Sequence, residues 1–281
     1  MKGVQKVWVV GATGKVGKEV EKLLDVRELE LLETDIEEID ITEISDVLKY
    51  VHLNRPNIII NCADESDEED VEKLYKVNAM AAKNISIAAR NIEARLIHLS
   101  SCEVFGNNQI SNYVDCNKNH PASYNEFDIP VPTTLYGKTK LIGEQRVKEF
   151  NYKYIIIRSG WVYGGKNDFV QQVIKACKSN QPIEAFGNHY GSPTSPQALA
   201  KLIVYLITSQ DYGTYHAACE GNCSKYELAV EIAKILKSKT KITIKQDETE
   251  NYKVLNNFIL NLSKYYKMSS WQEALKEYIK P

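Results

Sequence analysis

Tyr136 and Lys140 stand four residues apart in the run Tyr136-Gly-Lys-Thr-Lys140, and of the 17 tyrosines only Tyr136 has a lysine at that offset. On a helix, positions i and i+4 share one face. An ammonium beside a phenol, helped by an oxidised nicotinamide, is expected to favour phenolate and bring the tyrosine pKa down towards neutrality. Such a phenol can pass a proton to a carbonyl oxygen as hydride arrives at its carbon. Lys140 could also hold the nicotinamide ribose. A hydroxyl that anchors the same carbonyl is available in Ser100-Ser101, at the end of the strand-like run RLIHLSS. Side chains alternate along a strand, so one serine faces the crevice where open α/β sheets bind ligands. We assign Ser101, a loop-capping serine being the alternative.

A second group of residues suits a dinucleotide. Gly11-Ala-Thr-Gly14-Lys-Val-Gly17 directly follows the apolar run VWVV (7–10). Glycines at this spacing allow a tight turn, close approach of a pyrophosphate to backbone N–H groups, and helix–strand packing. The next strand should end near 33–35, where Asp35 could accept the ribose hydroxyls of NAD. Lys15 could instead neutralise the 2′-phosphate of NADP, and the choice stays open. Asp40 and Ile41 could border the adenine; alternatively, Thr42 caps a helix.

These residues need a scaffold of alternating strands and helices. Strands are expected at 7–10, 29–33, 57–60, 95–100 and 154–158. Helices are expected at 15–25, 43–53, 67–91, 134–150, 168–179, 224–238 and 270–279. The alternation implies βαβ units and a mostly parallel sheet covered on both faces. The segment 106–133, rich in Asn, Pro and Asp, is loop-like and long enough to cover a site. Past 164 the alternation fades, which places a dinucleotide-binding domain at 1–164 and a smaller substrate lobe at 165–281, with segments crossing between them. The acidic run 64–70 reads as the first turn of a helix, where carboxylates suit the dipole. Its carboxylates could also reach the cleft and disfavour a diphosphate.

Composition narrows the partners. Lys and Arg total 35 against 37 Asp and Glu, a net charge of −2, which argues against a nucleic-acid binder. With 43% hydrophobic residues the chain is expected to fold. No run approaches the roughly 18 apolar residues of a membrane span, and the N-terminal apolar run is too short for a secretion signal. The cysteines at 62, 102, 116, 177, 219 and 223 are scattered. A disulfide framework is not expected, nor a metal site at Cys219 and Cys223. A cytoplasmic protein is the expectation.

In order along the chain, GATGKVG, NCA (61–63), HLSSCEVFG (98–106) and YGKTK resemble the extended short-chain dehydrogenase/reductase family. RSGWVYG (158–164), NDFV (167–170), GSPT (191–194) leading into a helix, and YGTYHAACEGNCSKYELAVEI (212–232) are similar to the dTDP-4-dehydrorhamnose reductase family within it. The likeness spans nearly the whole chain. It implies a Rossmann-type, doubly wound parallel sheet with a smaller C-terminal α/β lobe. It also implies an oxidoreductase of dTDP-rhamnose biosynthesis, in which NADP or NAD delivers hydride to C4 of a nucleotide-linked 4-keto-6-deoxy sugar. Tyr136 is then the proton donor, Lys140 its electrostatic partner and Ser101 the carbonyl anchor. The implied cofactor contacts are Gly11, Thr13, Gly14, Lys15, Val16, Gly17, Asp35, Asp40, Ile41, Cys62, Ala63 and Asn78, besides Tyr136 and Lys140. Ser101, Cys102, Glu103, Trp161 and Gly191 are the implied substrate contacts, a core role for Trp161 being the alternative. A homodimer is an open expectation.

The chain departs from that family on the substrate side. Cys102 and Glu103 stand where Asp-Tyr is usual. Asp64, Glu65 and Ser66 replace an aromatic residue and Thr-x-Val-Asp. ETENYKVLNNF (248–258) lacks the usual Arg-Pro pair, and with it bidentate phosphate recognition. Weak selection for dTDP is therefore expected. A nucleotide-sugar dehydratase would need an acid where Cys102 stands, although Glu103 matches its base. A 4-epimerase is a further reading. A non-catalytic one is a dinucleotide-binding regulatory subunit similar to the methionine adenosyltransferase β subunit, which would need no Ser101, Tyr136 and Lys140 set.

Overall fold

Short apolar runs form the middle of a sheet and longer amphipathic runs cover it. The computed structural model describes residues 4–106, 123–166, 168–264 and 266–280. The order begins β1 (Gln5–Val10), α1 (Gly17–Leu23), β2 (Leu29–Thr34), α2 (Ile44–Asn54) and β3 (Ile58–Asn61). It continues with α3 (Val71–Tyr75), a π-helical turn (Lys76–Met80), α4 (Ala81–Asn91), β4 (Arg95–Ser101), a 3₁₀ turn (Cys102–Val104), α5 (Leu135–Phe150) and β5 (Tyr154–Ser159). Then come β6 (Trp161–Val162), α6 (Phe169–Ser179), β7 (Ile183–Phe186), β8 (His189–Gly191), β9 (Pro193–Thr194), α7 (Pro196–Leu206) and β10 (Gly213–Ala217). The last elements are β11 (Cys223–Ser224), α8 (Lys225–Ile235), β12 (Ile242–Lys245), β13 (Asn251–Lys253), α9 (Phe258–Ser263) and α10 (Trp271–Ile279).

The main sheet has six strands in the order β10-β5-β4-β3-β1-β2, and β1 pairs in parallel with both β2 and β3, as β3 does with β4. The order reverses at β1, so the exits of β1 and β3 flank a topological switch point, where open α/β sheets bind ligands. All four residues of β3 are buried, as expected of a central strand with both faces covered. On one face, Trp8, Ile59, Leu96 and Ile156 pack against Val47 and Val51 of α2, the alanines of α4, and Val147 of α5. Each fully buried Ile or Leu contributes about 1.5–3 kcal/mol. Small side chains at Ala81, Ala82, Ala88 and Ala89 let α4 lie close to the sheet.

The described parts of Met1–Val104, Pro130–Arg158 and Ala200–Tyr215 form one compact unit; those of Phe105–Ile129, Ser159–Leu199 and His216–Pro281 form another. Packing thus interleaves segments of the chain between the two units.

Two expected elements are corrected. The helix expected over 67–91 begins only at Val71, with Asp70 as its N-cap accepting from Lys73 N at 3.0 Å, and it carries the π-helical turn. The residues before Asp70 are drawn to other partners, described below. Thr42 does not cap α2: Glu43 is the N-cap residue and makes no side-chain cap. Of the loop 106–133, residues 107–122, including Cys116, lie outside the described residues, as does Asn167 of NDFV. Cys62, Cys102, Cys177, Cys219 and Cys223 are buried and not disulfide-bonded.

Candidate active site

The turn leaving β1 is built from bare backbone. Gly11 has φ +72°, and a Cβ there would lie 2.8 Å from Ala63 N; one on Gly17 would lie 2.4 Å from Gly11 O. Those two glycines are required by close packing. A Cβ on Gly14 would meet only Gly11 O, at 3.1 Å, and otherwise open space. Gly14 is therefore where a ligand can reach the backbone. The amides of Gly11 and Ala12 donate to Thr34 O, tying the turn to the end of β2. Val16 is buried at the N-cap of α1, and Lys15 is exposed.

Asp35 fastens this turn. Its Oδ2 accepts from the Thr13 amide at 3.2 Å and from the Thr13 hydroxyl, and its Oδ1 accepts from Ile36 N at 2.9 Å. Burial pushes its carboxyl up, but the hydrogen bonds from Thr13 and Ile36, with Lys18 nearby, hold it below the usual range. A cofactor ribose would share a carboxylate that already has structural work. Beyond it, Asp40 Oδ1 accepts from Thr42 N at 2.9 Å and Oγ1 at 2.7 Å, and Asn84 Nδ2 donates to the carbonyls of Ile41 and Thr42. The 40–42 loop is thereby pinned beside α4.

At the exit of β3, Asn61 Oδ1 accepts from Ala63 N at 3.1 Å, which orients its amide so that Nδ2 donates to His98 Nδ1 at 3.1 Å. The His98 proton then resides on Nε2. Burial, with the Lys140 charge, depresses the His98 pKa to about 3, and the imidazole is neutral. Cys62 is buried, and desolvation pushes its thiol up to about 12. Asn78, on the π-helical turn, donates to Glu65 O at 2.8 Å and Thr139 Oγ1 at 3.0 Å and accepts from Glu65 N at 3.1 Å. All its amide groups thus tie the chain after β3 to α5. It acts here as a clamp, which the sequence reading placed on the cofactor.

Tyr136, Lys140 and Ser101 converge. Thr134 caps α5 by accepting from Gly137 N at 3.0 Å, and Glu68 Oε1 accepts from Tyr136 N at 2.8 Å. A Cβ on Gly137 would sit 2.0 Å from Glu103 O, so this glycine lets α5 press on the 3₁₀ turn that follows β4. Lys140, 2% exposed, donates to Leu99 O at 2.8 Å and Asp64 Oδ1 at 3.1 Å. Tyr136 Oη donates to the Asp64 carboxylate, at 3.0 Å to Oδ1 and 3.2 Å to Oδ2, and is also hydrogen-bonded to the Ser101 side chain. Ser100 points the other way, donating to the buried Glu144 at 2.6 Å. Cys102 is buried in the turn, and Glu103 N donates to Ser101 Oγ at 3.2 Å.

The expected low tyrosine pKa is corrected. Desolvation, the Asp64 charge and the hydrogen bond to Asp64 raise Tyr136 well above the ordinary phenol value, while the hydrogen bond to Ser101 lowers it. The sequence reading counted the Lys140 ammonium without the carboxylate that neutralises it. The acidic run is likewise divided: Asp64 and Glu68 turn to α5, Glu65 pairs with Lys73 at 2.6 Å, and only Asp70 begins the helix.

The sequence profile of the RmlD substrate binding domain matches residues 5–281. The chain belongs to that family. It is 29% identical over 286 residues to the spore coat polysaccharide biosynthesis protein SpsK of Bacillus subtilis, covering 98% of this chain and 96% of that one. It is similar to the crystal structure of a dTDP-4-dehydrorhamnose reductase from Clostridium acetobutylicum, with TM-score 0.89, 34% identity and 98% of each chain covered. The dTDP-4-dehydrorhamnose reductase from Bacillus anthracis, solved in complex with NADP, gives TM-score 0.90 and 32% identity over 100% of both chains.

In this RmlD-family chain the second unit brings together Trp161 and Gly191. Trp161 N donates to Ser192 O at 2.9 Å, and β6 pairs with β9 in parallel. A Cβ on Gly191 would lie 2.2 Å from the indole, so only glycine leaves room for the ring. Trp161 is half-buried, with the Lys225 ammonium 3.7 Å from its ring centroid, a cation–π contact. It is neither a closed core residue nor a bare platform. Lys225 was missed by sequence reading, since nothing in its spacing links it to Trp161.

Proposed function

We propose that the protein reduces the 4-keto group of a nucleotide-linked 4-keto-6-deoxy sugar, as dTDP-4-dehydrorhamnose reductases do. The observation that carries this is the convergence of Tyr136, Lys140 and Ser101 at the end of β4. NADPH or NADH, when bound, supplies the hydride. The residues fit such a cofactor: Gly14 presents open backbone, Gly11 and Gly17 close the turn behind it, and Asp35 or Lys15 would read a ribose or its phosphate.

Ser101 donates to the sugar carbonyl and orients it. The Tyr136 O–H bond breaks, its proton goes to the carbonyl oxygen, and the electron pair stays on the phenolate oxygen. Lys140 stabilises that oxygen until solvent reprotonates it. General acid catalysis of this kind contributes about 10²–10⁴-fold. The buried thiols suit a reducing compartment such as the cytoplasm.

The test is dinucleotide oxidation with a panel of 4-keto nucleotide sugars. Turnover with at least one of them is expected, with weak discrimination among nucleotides because the Arg-Pro pair is missing. Dinucleotide binding without turnover on any sugar favours the regulatory-subunit reading, and tightly retained NAD favours an epimerase.

A further inference from the structure

Asp64 has no counterpart in a mechanism that needs only a phenol, an ammonium and a hydroxyl. Lys140 is already bound to Leu99 O at 2.8 Å, and Asn78 fastens the neighbouring Glu65 backbone. Its carboxylate is spent on the proton-transfer pair. Oδ1 accepts from both Tyr136 Oη and Lys140 Nζ, and Oδ2 accepts from Tyr136 at 3.2 Å.

The electrostatic consequence is direct. The ammonium that would favour phenolate is neutralised, and an anionic oxygen at Tyr136 would face a carboxylate at hydrogen-bond distance. The groups facing the phenol are Asp64 from the β3 exit, Ser101 and Cys102 from the end of β4, and Lys140 on its own helix. Glu68 faces its backbone N–H. Lys140 and Ser101 favour phenolate; Asp64, Cys102 and Glu68 oppose it.

We infer that Asp64 is a positioning residue that keeps Tyr136 protonated, so that the Tyr136–Lys140 pair gives protons to ketones over a wide pH range and is a poor base towards alcohols. Burial and Asp64 together hold the phenol well above its ordinary value, in agreement with this role. The overall equilibrium is untouched; what Asp64 sets is the pH at which each direction is fast. The inference rests on the reductase reading and deepens it. The side chain is 36% exposed, so bulk water can reach the carboxylate that faces the pair.

The experiment compares wild type, Asp64→Asn and Asp64→Glu in the NADPH-loaded enzyme. In Asp64→Asn the alkaline limb of kcat/KM for ketone reduction is expected to move down by about 1–3 pH units. Alcohol oxidation near neutrality, measured with NADP+ in place of NADPH, should rise, and Asp64→Glu should restore the wild-type profile. A limb unmoved in Asp64→Asn overturns the inference. A second readout needs no substrate. Phenolate absorbance is titrated in the dinucleotide-free protein, with Tyr136→Phe subtracted in both the wild-type and Asp64→Asn backgrounds. Ionisation of Tyr136 at lower pH in Asp64→Asn supports the role of Asp64, and ionisation at the same pH in both sinks it. Failure to reduce any sugar, with that titration shifted, removes the reductase reading alone.

Discussion

Tyr136→Phe lowers kcat/KM for ketone reduction by about 10²–10⁴-fold, while dinucleotide binding persists. Phenylalanine fills the same ring volume and removes only the hydroxyl. The remaining contacts are already arranged without it: Lys140 keeps Leu99 O and Asp64, and the turn that follows β1 is held by Thr34 O and Asp35. Steady-state kinetics with a 4-keto nucleotide sugar, alongside a dinucleotide binding titration, separates loss of the proton donor from loss of the cofactor. Parallel loss of both would show that Tyr136 holds the site together rather than supplying the proton.

Arg158→Met destabilises the protein by about 3–5 kcal/mol. Glu144 of α5 is fully buried and Arg158 of β5 is 3% exposed, yet both are charged. They form a fork: Nε reaches Oε1 at 2.9 Å and Nη2 reaches Oε2 at 2.8 Å, while Ser100 of β4 donates to Oε1 at 2.6 Å. The nearest other cation, Lys148, is 4.0 Å away and partly exposed. Removing the guanidinium strands a buried carboxylate, whereas Glu144→Met with Arg158→Met replaces the pair by apolar volume and recovers most of the loss. Urea denaturation of the two variants measures this. The clamp sits one helical turn beyond Lys140 and joins α5 to β4 and β5, so the single variant also loses activity. An Arg158→Met midpoint equal to wild type would show that the fork contributes nothing.

Sequence periodicity made β1, β3, β4 and β5 legible because each is a buried apolar run beside a longer amphipathic one. The helix carrying Tyr136 and Lys140 was legible for the same reason. Less could be read of the second unit. Strands such as β6, β9 and β11 have two residues each, too few for an alternating pattern to register. The π-helical turn depends on Asn78 meeting Glu65 and Thr139, residues 13 and 61 positions away. Nothing in the sequence pairs Glu144 with Arg158, because only the fold brings them together. Asp64 was visible as one of a run of acids, but its partner was not. A lysine four residues from a tyrosine predicts a lowered phenol pKa only where no carboxylate intervenes. The residues that could do chemistry were therefore legible, and the charges that tune them were not.

The central claim is that Tyr136, Lys140 and Ser101 act on a sugar carbonyl that receives hydride from a nicotinamide. The most direct measurement uses NADPH deuterated at the transferable position with a 4-keto-6-deoxy nucleotide sugar, and magnetic resonance of the product. The account predicts one deuterium at C4 with wild type and no such product with Tyr136→Phe. A reduced sugar without deuterium at C4, or none formed by wild-type protein that binds the dinucleotide, would contradict it.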